Sequence, residues 1–189
     1  QYFGVADVVL TSSGRNSLFL LLSYLHHKKV IVPSYTCKAV TEAALMAGKQ
    51  VVYVEVSLED FNILPEKLVH LVDDDSIVIA THQYGNPCRI EEICDICRKA
   101  GALVIEDCAA SLGTVYNGKL TGLFGNYAFF SFDSTKLVTV PSKGGFIIAA
   151  DAAELHAIEQ HVMECRIPGI RFRLKHTVIG MIYLVLRNK

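Results

Sequence analysis

Two residues in the middle of the chain have the types and positions that carbonyl and amine chemistry requires. Asp107 follows a short apolar run, residues 102–105, that predicts a buried strand. Lys136 follows a second apolar segment, residues 127–132, after Asp-Ser-Thr. A lysine amine in a dry site has a lowered pKa and can attack a carbonyl to form a Schiff base. A carboxylate beside it could keep a pyridine nitrogen protonated, and pyridoxal phosphate (PLP) needs both groups.

Either residue alone has an ordinary structural explanation, because strand-end aspartates cap helices and most lysines are solvated. The surrounding sequence favours a role in catalysis for both residues. The chain reads I-E-D-C-A at 105–109, G-T-V-Y-N-G at 113–118 and S-F-D-S-T-K at 131–136. These segments resemble the E-D-x-A, G-x-x-Y-x-G and S-F-x-x-x-K signatures of the DegT-type sugar aminotransferases, which are PLP enzymes of fold type I. Weaker similarity extends from about Ser13 to Asp151.

The resemblance implies a role for each signature residue. Lys136 would hold PLP and then act as general acid and base, and Asp107 would keep the ring nitrogen protonated. Ala109 would pack against the ring, and the hydroxyl of Ser131 would contact the cofactor phosphate. The implied reaction moves an amino group from glutamate to a nucleotide-linked keto-sugar, in a homodimer.

A strand-to-helix turn near the N-terminus is a second candidate for the phosphate site. Ser12 or Ser13 can cap a helix that begins near Arg15, where free amides and the helix dipole favour anions. Residues 13–18 resemble the S-G-T-x-A-L turn that binds the phosphate in the family. Gly14 matches that turn, whereas Arg15 replaces a small residue and either adds to phosphate binding or points away.

Two further loops follow predicted strands. Residues 33–37 resemble the P-x-x-T-aromatic loop, whose ring lies against the cofactor, but the last position is Cys37. The stacking surface is then smaller, or Tyr35 supplies it. Residues 82–85 resemble the H-x-Y-G turn. We predict that Tyr35 and His82 contact the substrate.

Three features keep other functions open: Cys37, Ala110 and the C-terminal domain that we expect to be missing. Ala110 stands where the family has Gln or His, and alanine cannot donate the hydrogen bond expected near the phenolic oxygen of PLP. Lys143, in a glycine-flanked turn, replaces a glutamate and is the rival lysine. The chain could be a non-catalytic binding module, or it could run another PLP chemistry such as dehydration. Family members that dehydrate sugars replace the lysine that is retained here as Lys136.

Strand and helix patterns alternate along the chain, which predicts an α/β fold with a mainly parallel sheet between two helical layers. The strands are predicted at 8–10, 30–32, 51–56, 76–80, 102–105, 127–132 and 146–149, and the helices from 15, at 36–47, 65–71 and 89–100, and from 151. We expect residues 1–160 to form the PLP-binding large domain, with a helix break at 168–169. Residues 161–189 would be a connector or the start of a small domain that is largely missing, so we expect a truncated chain.

Composition limits the alternatives. A formal charge of −1 over 189 residues gives no electrostatic reason to expect nucleic acid or an acidic membrane as partner. The apolar run at 177–186 is too short to span a bilayer, which needs about 20 residues. Six cysteines without a secretory pattern predict reduced thiols in the cytoplasm. Cys94 and Cys97 recur at helical spacing with no second ligand pair, which favours core packing over a metal site.

Overall fold

The computed structural model describes residues 4, 7–133, 136, 138, 140, 143–165 and 170–187. Its centre is a seven-stranded sheet with the order β1-β9-β8-β5-β4-β2-β3. The sheet strands are β1 (Val9–Thr11), β2 (Lys29–Pro33), β3 (Gln50–Val54), β4 (Ser76–Thr81), β5 (Leu103–Asp107), β8 (Tyr127–Ser131) and β9 (Gly145–Ala149). Strands β3, β2, β4, β5 and β8 are parallel to one another, whereas β9 is antiparallel to β8 and β1. The prediction of a mainly parallel α/β sheet is confirmed.

Helices cover both faces of this sheet. The helices are α1 (Gly14–Tyr24), α2 (Lys38–Met46), α3 (Pro65–Leu68), α4 (Ile90–Ala100), α5 (Ala152–Glu164) and α6 (Ile170–Arg187). One apolar cluster joins α1, α2 and α5 to one face of the sheet, and a second joins α3 and α4 to the other face. Fully buried Leu18, Leu21 and Leu22 anchor α1, as its helical spacing predicts. The three-layer arrangement follows from these two clusters.

The connection that follows β5 contains a small hairpin that the sequence analysis does not predict. Its strands are β6 (Val115–Tyr116) and β7 (Lys119–Leu120), and they pair antiparallel. Asn117 and Gly118 form the turn with φ values of 48° and 80°. This left-handed pair is the conformation that Asn-Gly turns favour.

The C-terminal part is attached to the sheet through α5. Asp151 caps this helix, because its Oδ1 accepts hydrogen bonds from the backbone N–H groups of Ala153 and Glu154. Leu155 and Ile158 are buried against the core, whereas the apolar side chains described in α6 are exposed. The predicted break at 168–169 lies outside the described residues. No helix in the described ranges is both long and apolar enough to cross a membrane.

The cysteines behave as a reduced set within the described chain. All six are free thiols, and Cys97 packs with Ile93 in the core under α4. Burial raises the pKa of Cys94 and of Cys97 to about 12. Thiols with such pKa values are poor nucleophiles and poor metal ligands at neutral pH. Core packing is therefore the role of this pair.

Candidate active site

The residues singled out by sequence meet in one cavity at the carboxyl ends of β5 and β8. The cavity has a volume of about 400 Å³. All eight residues predicted to bind the cofactor line it: Ser13, Gly14, Arg15, Cys37, Asp107, Ala109, Ser131 and Lys136. The other lining residues are Leu18, Ala39, Val40, Phe129, Asp133 and Lys143. In open α/β sheets this edge is where ligands bind.

The N-terminus of α1 forms one end of the cavity. Ser13 is the N-cap, and its Oγ accepts a hydrogen bond from the backbone N–H of Asn16 at 3.2 Å. Gly14 lies directly against Ser131, so a Cβ at position 14 would be 2.7 Å from Cβ of Ser131. Only glycine allows this close approach, which brings the first-turn N–H groups of α1 next to the Ser131 hydroxyl. Such a cradle suits a phosphate.

Arg15 lies on the rim of this cradle. Its guanidinium forms an ion pair with Glu42 of α2, with Nη1 and Oε2 3.2 Å apart. The Arg15 side chain is 53% exposed, so the pair is well solvated. Arg15 thus links the starts of α1 and α2 and adds positive charge at the cavity, while its contact with phosphate stays a prediction.

Asp107 is a buried carboxyl at the end of β5. Its Oδ1 accepts a hydrogen bond from the backbone N–H of Ala109 at 3.0 Å. Burial raises the pKa of Asp107, and the Ala109 N–H, Lys136 and His82 oppose that shift in part. A carboxylate in this position is stabilised by a cation placed against it, as a protonated pyridine nitrogen would be.

The two lysines of the cavity differ in their partners. Nζ of Lys143 lies 3.2 Å from Oδ2 of Asp133, so this ammonium group already has a carboxylate counter-ion. Within the described part of the chain, no hydrogen bond or ion pair involves Nζ of Lys136. The backbone N–H of Lys136 donates to the Asp133 carbonyl at 2.9 Å, which fixes the bend that carries it. The assignment of Lys136, rather than Lys143, as the lysine that binds the cofactor stays a prediction, and the pairing of Lys143 with Asp133 favours it.

His82 has a structural role, which corrects the prediction that it contacts the substrate. Its ring is fully buried, and the backbone N–H of Cys88 donates to Nδ1 at 3.2 Å. Nδ1 therefore carries no proton, and the Nε2–H donates to Oε2 of Glu106 at 3.0 Å. Both ring nitrogens are engaged within the protein, so none remains for a substrate.

Glu106 is the centre of that network and is also fully buried. Besides His82, its carboxylate accepts hydrogen bonds of 2.7 Å from the backbone N–H groups of Gly122, Phe124 and Gly125. The glutamate therefore fixes the loop after β7 against β5 and supports the strand that carries Asp107. Its side chain points to the opposite face of the sheet from Asp107 because neighbours in a strand alternate.

Replacing Glu106 by Gln should destabilise the fold strongly. The new amide would place its own N–H groups against donors that now meet a carboxylate oxygen. We expect a loss of about 3 kcal/mol in the free energy of unfolding of the cofactor-free protein, measured by urea denaturation. Glu92→Gln is the control, because Glu92 is half exposed and pairs with Arg89. A loss in Glu106→Gln no larger than in the control would show that the network does not hold the site.

The same region contains a group of potential metal ligands. Ligand atoms of His82, Glu106 and Cys108 lie within 4.8 Å of one another, and all three residues are buried. The hydrogen bonds of Glu106 and His82 already use the atoms that a metal would need. Burial also raises the pKa of the Cys108 thiol well above its usual range. The cluster is thus satisfied as a hydrogen-bond network.

Tyr35 lies in an aromatic cluster and is not among the residues that line the cavity. Its hydroxyl and the hydroxyl of Tyr84 are 2.5 Å apart, and its ring centroid is 4.9 Å from that of Phe61. Phe61 and Tyr84 have positive φ values of 59° and 54°, which are uncommon for aromatic residues. The cluster is exposed, and the predicted contact of Tyr35 with the substrate stays a prediction.

The chain's own residues fit PLP as the cavity's cofactor. The cradle at Gly14 and Ser131 suits its phosphate, and buried Asp107 suits a cationic ring nitrogen. Lys136 offers an amine to its aldehyde, and Ala109 leaves room for a flat ring. Sequence reasoning did not identify Leu18, Ala39, Val40 and Phe129 as apolar walls of the site, although their helix and strand patterns predict burial.

Comparisons with known proteins identify the family of this chain. The model of the DegT/DnrJ/EryC1/StrS aminotransferase family matches residues 1–184. A GDP-perosamine synthase of Vibrio cholerae is 31% identical over 153 residues, which are 79% of this chain and 41% of that protein. A UDP-N-acetyl-3-dehydro-alpha-D-glucosamine 3-aminotransferase of Acidithiobacillus ferrooxidans is 32% identical over 181 residues, covering 94% and 48%.

One of the matching solved structures contains the cofactor. The GDP-4-keto-6-deoxy-D-mannose-3-dehydratase of Escherichia coli, with bound hydrated PLP, matches with a TM-score of 0.75 and 25% identity. The match covers 83% of this chain and 43% of that one. The chain spans about half the length of the relatives that it matches. It belongs to the DegT/DnrJ/EryC1/StrS family of PLP-dependent aminotransferases.

Proposed function

We propose that this chain provides the PLP site of an aminotransferase that moves an amino group from glutamate to a nucleotide-linked keto-sugar. The observation that carries the proposal is the meeting of Lys136, Asp107, Gly14 and Ser131 in one cavity. Relatives named for amino transfer to nucleotide-linked sugars support the substrate class. PLP, when bound, supplies an aldehyde that takes up an amine and a ring that withdraws electrons from the reacting carbon.

Asp107 and the phosphate cradle would hold the cofactor in one orientation. The Asp107 carboxylate stabilises a proton on the ring nitrogen, because the two charges offset each other's burial. The first-turn N–H groups of α1 and the Ser131 hydroxyl bind the phosphate, with Arg15 adding positive charge at the rim. Ala109 and Cys37 flank the ring. These contacts exclude water and place the reacting carbon near Lys136.

Lys136 is the residue that would bind the cofactor covalently and move the proton. With PLP bound, its amine would hold the aldehyde until an amino donor displaced it. The released amine would then take the proton from the donor carbon and return a proton to the acceptor carbon. Lys143 is unsuited to this task because its ammonium group is paired with Asp133.

The remaining features of the proposal concern the whole protein. Residues 1–160 form the large domain, and the residues that follow lead toward a smaller one. A second subunit completes the site in a homodimer, and Tyr35 at the rim contacts the sugar nucleotide. The exposed apolar side chains of α6 are consistent with a further covering element.

The test is the donor half-reaction, which requires no knowledge of the sugar. The full chain, loaded with PLP and mixed with glutamate, should form about one equivalent of 2-oxoglutarate per site and lose its visible absorbance. The amine form then persists until an acceptor keto-sugar is added. A protein that binds PLP but yields no keto acid with glutamate or other amino acids would contradict amino transfer. A protein that binds no PLP would favour a binding module instead.

A further inference from the structure

Two threonine hydroxyl groups near the carboxyl edge of the sheet are buried and make no hydrogen bond to the residues that the structure describes. Across the described residues, three buried side-chain polar atoms make no hydrogen bond: Nδ1 of His27, Oγ1 of Thr36 and Oγ1 of Thr81. Thr81 is the last residue of β4, Thr36 follows the end of β2 by three residues, and β2 and β4 are neighbours in the sheet. Thr81 is only 8% exposed. Buried polar groups are nearly always paired, so an unpaired hydroxyl at a binding edge indicates a ligand.

The sheet register places Thr81 next to Asp107. Thr81 of β4 is the register partner of Asp107 of β5, and Asp107 is in turn the partner of Phe129 of β8. Residues opposite each other in neighbouring parallel strands project to the same face. Asp107 and Phe129 line the cavity from that face. Thr81 therefore lies in the same row of side chains, on the side of Asp107 away from Ser131.

The chemical structure of PLP determines which of its atoms faces Thr81. Around the ring, the phosphate arm and the phenolic oxygen lie on opposite sides of the axis from the nitrogen to the aldehyde carbon. With the nitrogen at Asp107 and the phosphate toward β8, the side toward β4 carries the 2-methyl group and the phenolic oxygen, and of these two only the oxygen can accept a hydrogen bond. We propose that Thr81 is a cofactor-binding residue whose hydroxyl donates a hydrogen bond to this oxygen. The inference rests on the proposed function, because it needs PLP in the cavity.

Position 110 offers no side-chain hydrogen-bond donor to the phenolic oxygen of PLP. The Ala110 side chain has no hydrogen-bonding group. Its carbonyl oxygen packs against Gly85, where an added Cβ would lie only 2.8 Å away. The backbone of this loop is thus held close to the turn that follows β4. A hydroxyl on β4 is the available substitute for a longer side chain at position 110.

This role predicts different effects on stability and on binding. In the cofactor-free protein, Oγ1 of Thr81 makes no hydrogen bond to the described residues, so replacing it by a methyl group removes no contact within the fold. In the loaded protein, the same replacement removes a hydrogen bond to the ligand. A hydroxyl that is paired within the protein, such as Oγ1 of Thr121 with the Ser111 carbonyl at 2.9 Å, should behave differently.

The experiment compares Thr81→Val, Thr81→Ser and Thr121→Val in the full chain. Thr81→Val should not lower the Tm of the cofactor-free protein, because no hydrogen bond within the fold is lost. It should weaken PLP binding by about three- to tenfold in an absorbance titration, the range of one hydrogen bond. Thr81→Ser should restore the affinity for PLP. Thr121→Val should lower the Tm and leave the affinity for PLP unchanged.

Two outcomes would overturn the inference while leaving the proposed function intact. Wild-type affinity for PLP in Thr81→Val would show that the hydroxyl makes no contact with the cofactor. A lower Tm in the cofactor-free Thr81→Val protein would show that the hydroxyl is paired inside the fold. A wild-type protein that binds no PLP would instead overturn the proposed function, and the role of Thr81 with it.

Discussion

Replacing Lys136 by Ala is expected to abolish the visible absorbance of the PLP-loaded protein and to stop amino transfer. Without the amine, no side chain at that position can bind the aldehyde or move the proton. General acid and base groups contribute about a hundredfold or more, so turnover should fall at least that far. The measurements are the absorbance spectrum after PLP addition and glutamate-dependent formation of keto acid. Retention of a wild-type spectrum would contradict the assignment.

Lys143→Ala is the matched control for this substitution. Lys143 lines the same cavity, but its Nζ is paired with Asp133 and its side chain is 63% exposed. Removing it should leave the visible absorbance in place, because the amine that binds the aldehyde is elsewhere. Loss of the absorbance in Lys143→Ala, with retention in Lys136→Ala, would exchange the roles of the two lysines.

Replacing Asp107 by Asn is expected to slow the donor half-reaction while PLP still binds. Asparagine keeps the shape of the side chain but removes its charge, so the ring nitrogen loses the partner that keeps it protonated. Electrostatic stabilisation of this kind is worth at least about 2 kcal/mol of barrier, or about thirtyfold in rate. Stopped-flow measurement of the absorbance change after glutamate addition gives the rate. A wild-type rate in Asp107→Asn would remove this residue from the mechanism.

The stability of the cofactor-free protein provides a control on the same variant. Burial raises the pKa of Asp107 above its ordinary value of 3.8. The folded state therefore holds this proton more tightly than the unfolded chain does. The resulting stability is fully present below about pH 3.8 and is lost as the pH rises through the folded pKa. Asp107→Asn should be more stable than wild type at neutral pH and less dependent on pH. Urea denaturation that gives the opposite order would contradict a raised pKa for the buried Asp107 carboxyl.

Much of the fold follows from local sequence patterns. The apolar runs that became β4, β5 and β8 are buried on both faces, so their short β-rich segments predict central parallel strands. The predicted ends of the elements differ from the observed ones by at most three residues, and several coincide. For example, β5 continues through Glu106 and Asp107 because both carboxyls find burial partners at the sheet edge. The hairpin at Asn117 escaped prediction because each of its strands is only two residues long.

Residues that stand in a sequence motif could be assigned to the site from the sequence. The orientation of a side chain that pairs with a residue distant in the chain could not. Lys136, Asp107 and Ser131 stand in sequence signatures, and the structure brings all three to one cavity as those signatures predict. His82 was assigned to substrate because its sequence does not reveal Glu106, 24 residues later, as its partner. Arg15 could not be oriented without Glu42 of α2. The hydroxyl of Thr81 became significant only when the fold left it buried without a partner.

The central claim is that Lys136 is the lysine that binds PLP, and peptide mapping after borohydride reduction tests it most directly. The full chain is loaded with PLP, reduced, digested and analysed by mass spectrometry. The reduced cofactor should be found on the peptide that contains Lys136, and not on the one that contains Lys143. Finding it on Lys143, or on neither peptide of a protein that retains bound PLP, would contradict the claim.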